Sequence, residues 1–176
     1  MTDLRQTFLS LEPGAKRRVH MLLCENALSQ WQSFAIERRR IRYVDSVVGG
    51  RHEVELELPS EALRSVANAR EDVADVEQRY AEPITAIHDH DLKFPDHIEF
   101  AYYSIYNLFR KYALGKEVDD WLVVNQAIAA EPDQSSWASL LEIAIKKSTD
   151  QGAAPNGGPA TRLGNSGVAE GPPSVT

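Results

Sequence analysis

The stretch Asp96-His97-Ile98-Glu99-Phe100-Ala101-Tyr102-Tyr103-Ser104-Ile105-Tyr106-Asn107-Leu108-Phe109-Arg110-Lys111-Tyr112 is the most apolar part of the chain. Ile98, Tyr102, Ile105, Leu108, Phe109 and Tyr112 recur at helical spacing on one face, while Phe100, Tyr103 and Tyr106 occupy the others. A helix apolar nearly all round is usually central in its fold, so residues 96–114 are predicted to be the hub of a helical domain. Asp96 and Glu99 have the spacing of a capping box at its start, and Gly115 ends it. Packed core is a better reading of these rings than an aromatic ligand cage, and buried tyrosine hydroxyls would look to Asn107 and Arg110.

Working outward, four further helices are expected. Residues 15–37 carry Val19, Leu22, Leu23, Ala27, Trp31 and Phe34 on one face, with Arg38, Arg39 and Arg40 at the negative end of the dipole. A stripe of Leu63, Val66, Val73, Val76, Tyr80, Ile84 and Ile87 begins after Pro59, with Ser60 as the expected N-cap. It keeps its phase across Pro83, which predicts a kink there. Residues 117–130 would bury Val118, Trp121, Leu122, Val124 and Ile128, and residues 135–148 would bury Trp137, Leu140, Leu141, Ala144 and Ile145.

Between the first two helices lies a β-hairpin near residues 40–58. Gly49-Gly50 suits a two-residue turn, which pairs Val48 with Arg51, Val44 with Glu55 and Arg42 with Glu57. Tyr43 and Val47 then share an apolar face with His52, Val54 and Leu56, while Glu53, Glu55 and Glu57 form an acidic ladder on the charged face. Asp45 falls on the apolar face, with His52 as its nearest polar partner. Residues 1–149 are thus expected to form a single mainly α domain, a bundle of about five helices with one inserted hairpin. The Gly/Pro/Ala-rich segment 150–176 lacks the apolar residues to offset its ordering entropy and is predicted to be a disordered tail.

Composition narrows the function. Hydrophobic residues at 43% and charged residues at 26% suit an ordinary globular protein. A net charge of -7 opposes general nucleic-acid binding, despite Arg38, Arg39, Arg40 and Arg42, and favours a basic protein partner. No secretory pattern and no run of bilayer-spanning length is seen, so a cytoplasmic, non-membrane protein is expected. Cys24, in an apolar stretch, reads as an inert buried thiol, although His20 is one helical turn away.

Three of the five histidines fall in the run His88-Asp89-His90-Asp91-Leu92-Lys93-Phe94-Pro95-Asp96-His97. His88, His90, Asp91 and His97 are the candidate ligands of a divalent metal, in an enzyme or a metal-binding regulator. The competing reading is a polar joint between two helices. No phosphate loop, GxSxG elbow or HExxH helix is present, no other cofactor is implied, and Arg79 and His88 lie too far apart for a helical ribonuclease pair. The balance favours a non-catalytic interaction protein, an inhibitor or immunity-type partner of a basic toxin, with Glu53, Glu55 and Glu57 as the candidate contact residues. If the hub is placed correctly, Ile105→Asp should abolish soluble expression by burying an unpaired charge. A well-folded, soluble variant would displace residues 96–114 from the centre.

Overall fold

In a computed structural model, residues 3–68, 72–133 and 135–150 are described. They form seven helices and one antiparallel two-stranded hairpin: α1 (Leu4–Leu9), α2 (Pro13–Arg38), β1 (Arg42–Val44), β2 (Arg51–Glu53), α3 (Leu58–Ala67), α4 (Val73–His88), α5 (Asp96–Tyr112), α6 (Asp120–Ala129) and α7 (Trp137–Asp150). Of the expected tail 150–176, Asp150 ends α7, and residues 151–176 lie outside the described residues. The mainly helical bundle with one hairpin is as the hydrophobic periodicity indicates. Its helix count exceeds the expected five, because α1 was not foreseen and one expected helix is two.

α5 is the hub. Ile98, Tyr102, Ile105, Leu108 and Phe109 are buried on it, and α2, α6 and α3 pack around it. α2 lies against α5, α6 and α7, and buries Val19, Leu23, Ala27 and Trp31. Gly115 adopts φ +63° just past the end of α5, and the Lys116 N–H reaches back to the Arg110 carbonyl at 2.9 Å. The left-handed backbone at this point favours glycine.

Several local expectations are corrected. The continuous stripe after Pro59 is two helices, α3 ending at Ala67 and α4 beginning at Val73, and it is not broken at Pro83, which lies buried inside α4. The seven-residue gap between Val66 and Val73 kept the stripe in phase and so hid the break. Ser60 is not the N-cap. α3 starts at Leu58, with Pro59 in its first turn where a missing N–H is tolerated. Asp96 does not form a capping box either, because it is the first residue of α5. The Ile98 and Glu99 N–H groups both bond the Pro95 carbonyl at 2.9 Å.

On α6 the buried positions are Val123, Val124, Ala127 and Ile128, while Leu122 is 41% exposed. Trp137 on α7 is also 41% exposed, against expectation. The rest of each expected face holds, with Val118, Val124 and Ile128 buried around α6 and Leu141, Ala144 and Ile145 buried on α7. α1 is a six-residue helix capped by Asp3, whose carboxylate accepts the Arg5 N–H at 3.0 Å, and it contributes the fully buried Phe8.

The hairpin register is Arg42 with Glu53, Tyr43 with His52 and Val44 with Arg51. Each strand partner is four residues from the expected one, so every side chain keeps its expected face. The cause is Asp45. Its carboxylate accepts the Val47 and Val48 N–H groups at 2.7 and 2.8 Å, and its backbone bonds Gly49 and Gly50. A loop of residues 45–50 replaces the two-residue turn, because a local Asx-type bond offers the backbone an alternative to pairing.

The buried end of α2 holds a polar network. His20, fully buried, bonds the Tyr112 hydroxyl through Nδ1 and the Asp120 carbonyl through Nε2, each at 2.9 Å. A carbonyl can only accept, so Nε2 carries the proton and Nδ1 accepts from Tyr112. Lys16 and Lys111 both pair with the Asp120 carboxylate, at 3.3 and 2.9 Å. Burial lowers the His20 pKa, outweighing the opposing pull of Asp120. The unfolded chain therefore binds the extra proton first, so this contribution is complete above pH 6.5 and is lost as pH falls below it. Each pH unit below that value costs up to about 1.4 kcal/mol until the folded site itself takes up a proton. Urea unfolding at pH 7.5 and 5.5 should show a larger acid loss for the wild type than for His20→Gln, and equal losses would contradict a neutral buried imidazole.

Candidate functional site

The hairpin is joined to α4 by a row of polar contacts. The Arg79 guanidinium binds Glu55 at 2.6 Å, Asp75 at 2.9 Å and Glu61 at 3.1 Å. One turn on, Glu82 accepts the Tyr43 hydroxyl at 3.0 Å and pairs with His52 Nδ1 at 2.5 Å. Past the end of α4, the Asp91 carboxylate accepts both the Ser46 N–H, at 2.8 Å, and the Ser46 hydroxyl, at 3.1 Å. Tyr43 and His52 stack at 5.2 Å, which places two rings between the strands and the helix.

This docking fixes a loop that faces outward. Val44, Val47 and Val48 are 54, 84 and 79% exposed, on a backbone held by Asp45 from within and by Asp91 from outside. The Asp45 carboxyl is held below its usual range by the Val48 and Val47 N–H groups. Asp45 therefore organises the loop, and the hydrogen-bonded partner of His52 is Glu82.

The acidic ladder is divided by the register. Glu53 bonds Arg42 at 3.1 Å and lies 3.8 Å from Arg40, and Glu55 is committed to Arg79. Glu57 is exposed at the start of α3. Of the arginine run, Arg38 lies over the Phe34 ring at 5.4 Å, and Arg39 terminates α2 with φ +61°.

The histidine run forms the α4–α5 joint. His88 stacks on Tyr103 at 5.7 Å, His90 has a left-handed backbone with φ +65°, Asp91 holds Ser46, and His97 is half-buried in the first turn of α5. Leu92 and Phe94, both buried, anchor the joint. Among the described residues no group of three or more His, Cys, Asp or Glu side chains is disposed to hold a metal ion. Cys24 is fully buried, its thiol pushed up to about 12 by burial, and it donates to the Ser104 carbonyl at 3.7 Å. His20 faces Tyr112 and Asp120 instead of the thiol.

On the far side of α4 the outer rings of α5 line an open groove of about 570 Å³ together with Ile84, His88 and Arg110. Phe100 is 39% exposed there, and Tyr103 and Tyr106 are half-buried. Tyr80 stacks on Tyr106 at 5.0 Å, and Arg110 lies 5.6 Å from the centre of the Tyr106 ring. Asn107, expected to serve a tyrosine hydroxyl, donates to Gln126 at 2.8 Å. Burial raises the Tyr103 hydroxyl to about 12, helped by nearby Glu99, and raises Tyr106 with help from Glu77. These outer positions were assigned to core by their aromatic character alone, and the half-exposed groove had no separate signal.

Residues 72–99 span α4 and the joint. They hold eight carboxylates, Asp72, Asp75, Glu77, Glu82, Asp89, Asp91, Asp96 and Glu99, against only Arg79 and Lys93. Most of the chain's net charge of -7 therefore originates in this segment. Compared with known protein families, curated proteins and solved structures, the chain matches none.

If Arg79 staples the hairpin to α4, Arg79→Met leaves Glu55, Asp75 and Glu61 facing one another. Stability should fall by roughly 1–2 kcal/mol at low salt and by less at high salt, since the guanidinium is partly exposed. Amide exchange in β1 and β2 should accelerate. Unchanged exchange there would show that the hairpin is held by its apolar face alone.

Proposed function

We propose that this chain is a non-catalytic protein-interaction protein whose partner is a basic protein, as an inhibitor or immunity-type partner of a basic toxin would be. The observation that supports the reading is the tip of the hairpin, where Val44 at the end of β1 and Val47 and Val48 in the loop face solvent on a backbone tied to Asp45 and Asp91. Exposed apolar side chains on an already ordered loop lose little conformational freedom on binding, and such patches commonly mark contact surfaces.

Charge selects the partner. The loop is hydrogen-bonded to the segment with eight carboxylates and two cations, so a basic surface approaching the valines meets a negative field. Among the candidate contact residues, Glu57 adds a further exposed acid beside the hairpin. Glu53 and Glu55 hold the hairpin in place through Arg42 and Arg79.

The test compares the tagged wild type with Val47→Ser/Val48→Ser in affinity capture from the host's own lysate, followed by mass spectrometry. A basic protein held in stoichiometric amount by the wild type and lost from the double variant is expected. The variant's thermal midpoint should stay unchanged, because surface substitutions of this kind alter stability by about 0.5 kcal/mol or less. A partner retained equally by both, or an acidic one, would overturn the reading.

A further inference from the structure

We infer that residues 159–163 of the chain's own C-terminal segment dock in the groove between α1, α6 and α7, across the indoles of Trp121 and Trp137. The inference is independent of the hairpin reading, because the groove lies at the other end of α2. Lys16, near the start of α2, pairs with Asp120 beside Trp121, whereas the hairpin follows the last residue of that helix.

The groove has a volume of about 610 Å³ and is lined by Leu4, Arg5, Trp121, Trp137, Ala138 and Glu142, with Asp3 at its edge. Trp121 is half-buried, and Arg5 lies 5.5 Å from the centre of its ring. Trp137, the first residue of α7, is 41% exposed. Indoles carry large apolar surfaces, and two lining one open groove leave a contact area that nothing on α1, α6 or α7 covers. Asp3 caps α1 and Arg5 is over Trp121, which leaves Glu142 as the lining charge that faces an occupant.

The position of residues 151–176 selects that occupant. α7 runs from Trp137 to Asp150, so the groove lies about 20 Å back along the helix from which the segment leaves. The five residues to Pro155 extend at most about 18 Å and fall short. The nine residues to Pro159 extend about 32 Å, enough to reverse direction and arrive at Trp137. Arg162 is the only cation in residues 151–176, and it adjoins Leu163, their only leucine. Pro159 and Leu163 supply apolar surface to the indoles, and Arg162 supplies the charge opposite Glu142. Proline suits an aromatic groove because its fixed φ leaves little freedom to lose. The composition of residues 151–176 opposes a fold of their own, but a short docked segment needs none. Tethering presents it at roughly millimolar effective concentration, so contacts too weak to hold a free peptide suffice.

The experiment attaches a nitroxide label to the full chain at Ser166→Cys, three residues past Leu163, and records line broadening by NMR. Cys24 is fully buried with its thiol pushed up to about 12, so the label goes to the introduced site. The indole N–H signals of Trp121 and Trp137 should broaden, those of the Val47 and Val48 amides should not, and the difference should persist on dilution. Adding Arg162→Ser and Leu163→Ser should abolish the difference. Trp137→Ala, at an exposed position, should fold normally and relieve the broadening at Trp121.

Equal broadening at the indoles and the hairpin amides, or none at either, overturns the docking. Broadening that fades on dilution assigns the groove to a second copy of the chain and overturns its own segment as occupant. Broadening that survives Arg162→Ser and Leu163→Ser reflects tethering alone and overturns residues 159–163. Each of these failures leaves the hairpin reading standing, since that reading is decided by Val47 and Val48.

Discussion

Trp31 is where the separate parts of this chain meet. Its indole lies 4.8 Å from the Tyr102 ring on α5 and 5.4 Å from Phe94 in the α4–α5 joint, and it has no solvent exposure. Its N–H donates to the Leu56 carbonyl at 2.8 Å, just before α3 begins. A buried indole N–H needs an acceptor, so the chain leaving the hairpin is tied to the core at that point. Because α2 supplies the ring, the segment between the end of α2 and Leu56 must leave the core and return. The projecting hairpin follows from that constraint.

The same constraint shapes α4. Tyr80 stands against Tyr102 at 4.6 Å and donates its hydroxyl to the Tyr102 carbonyl, and these bulky rings leave an open groove along the outer face of α5. One flank of α4 faces this aromatic groove and the other faces the hairpin, where Arg79 and Glu82 form the polar contacts. At its end, the Asp91 and Leu92 N–H groups both reach the Ala86 carbonyl, and the left-handed backbone at His90 turns the chain toward Phe94. The joint thereby separates the histidines, sending His88 to Tyr103 while Asp91 goes to Ser46.

Long periodic elements were legible in the sequence, because burial of one stripe determines where they lie. α2 and α5 are of this kind, and Trp31, Tyr102 and Ile105 are buried as their spacing requires. Where the period is sampled too few times, the reading weakens: α1, with six residues, gave no signal, and on α6 and α7 Leu122 and Trp137 are exposed while Val124, Ile128, Leu141, Ala144 and Ile145 are buried as their spacing requires. The α3–α4 break was hidden by a gap that preserved phase. The candidate site was only partly legible. The hairpin was evident from its alternation, but the loop depends on where the Asp45 carboxylate bonds, and the groove depends on which half of an aromatic helix remains uncovered.

The hairpin's acids show why a charge count does not define a contact surface. Glu53, Glu55 and Glu57 alternate along one face, so moving Arg42 from Glu57 to Glu53 still leaves it opposite a carboxylate. The pairing pattern is therefore degenerate between the two registers, and neither hydrophobic alternation nor charge distinguishes them. What distinguishes them lies outside the strands: the Asp45 bonds to Val47 and Val48, the Glu55 contact with Arg79, and the pinning of Leu56 by Trp31. Once those are made, two of the three glutamates face cations of their own chain. The chain's remaining negative charge then lies chiefly on α4 and its joint to α5.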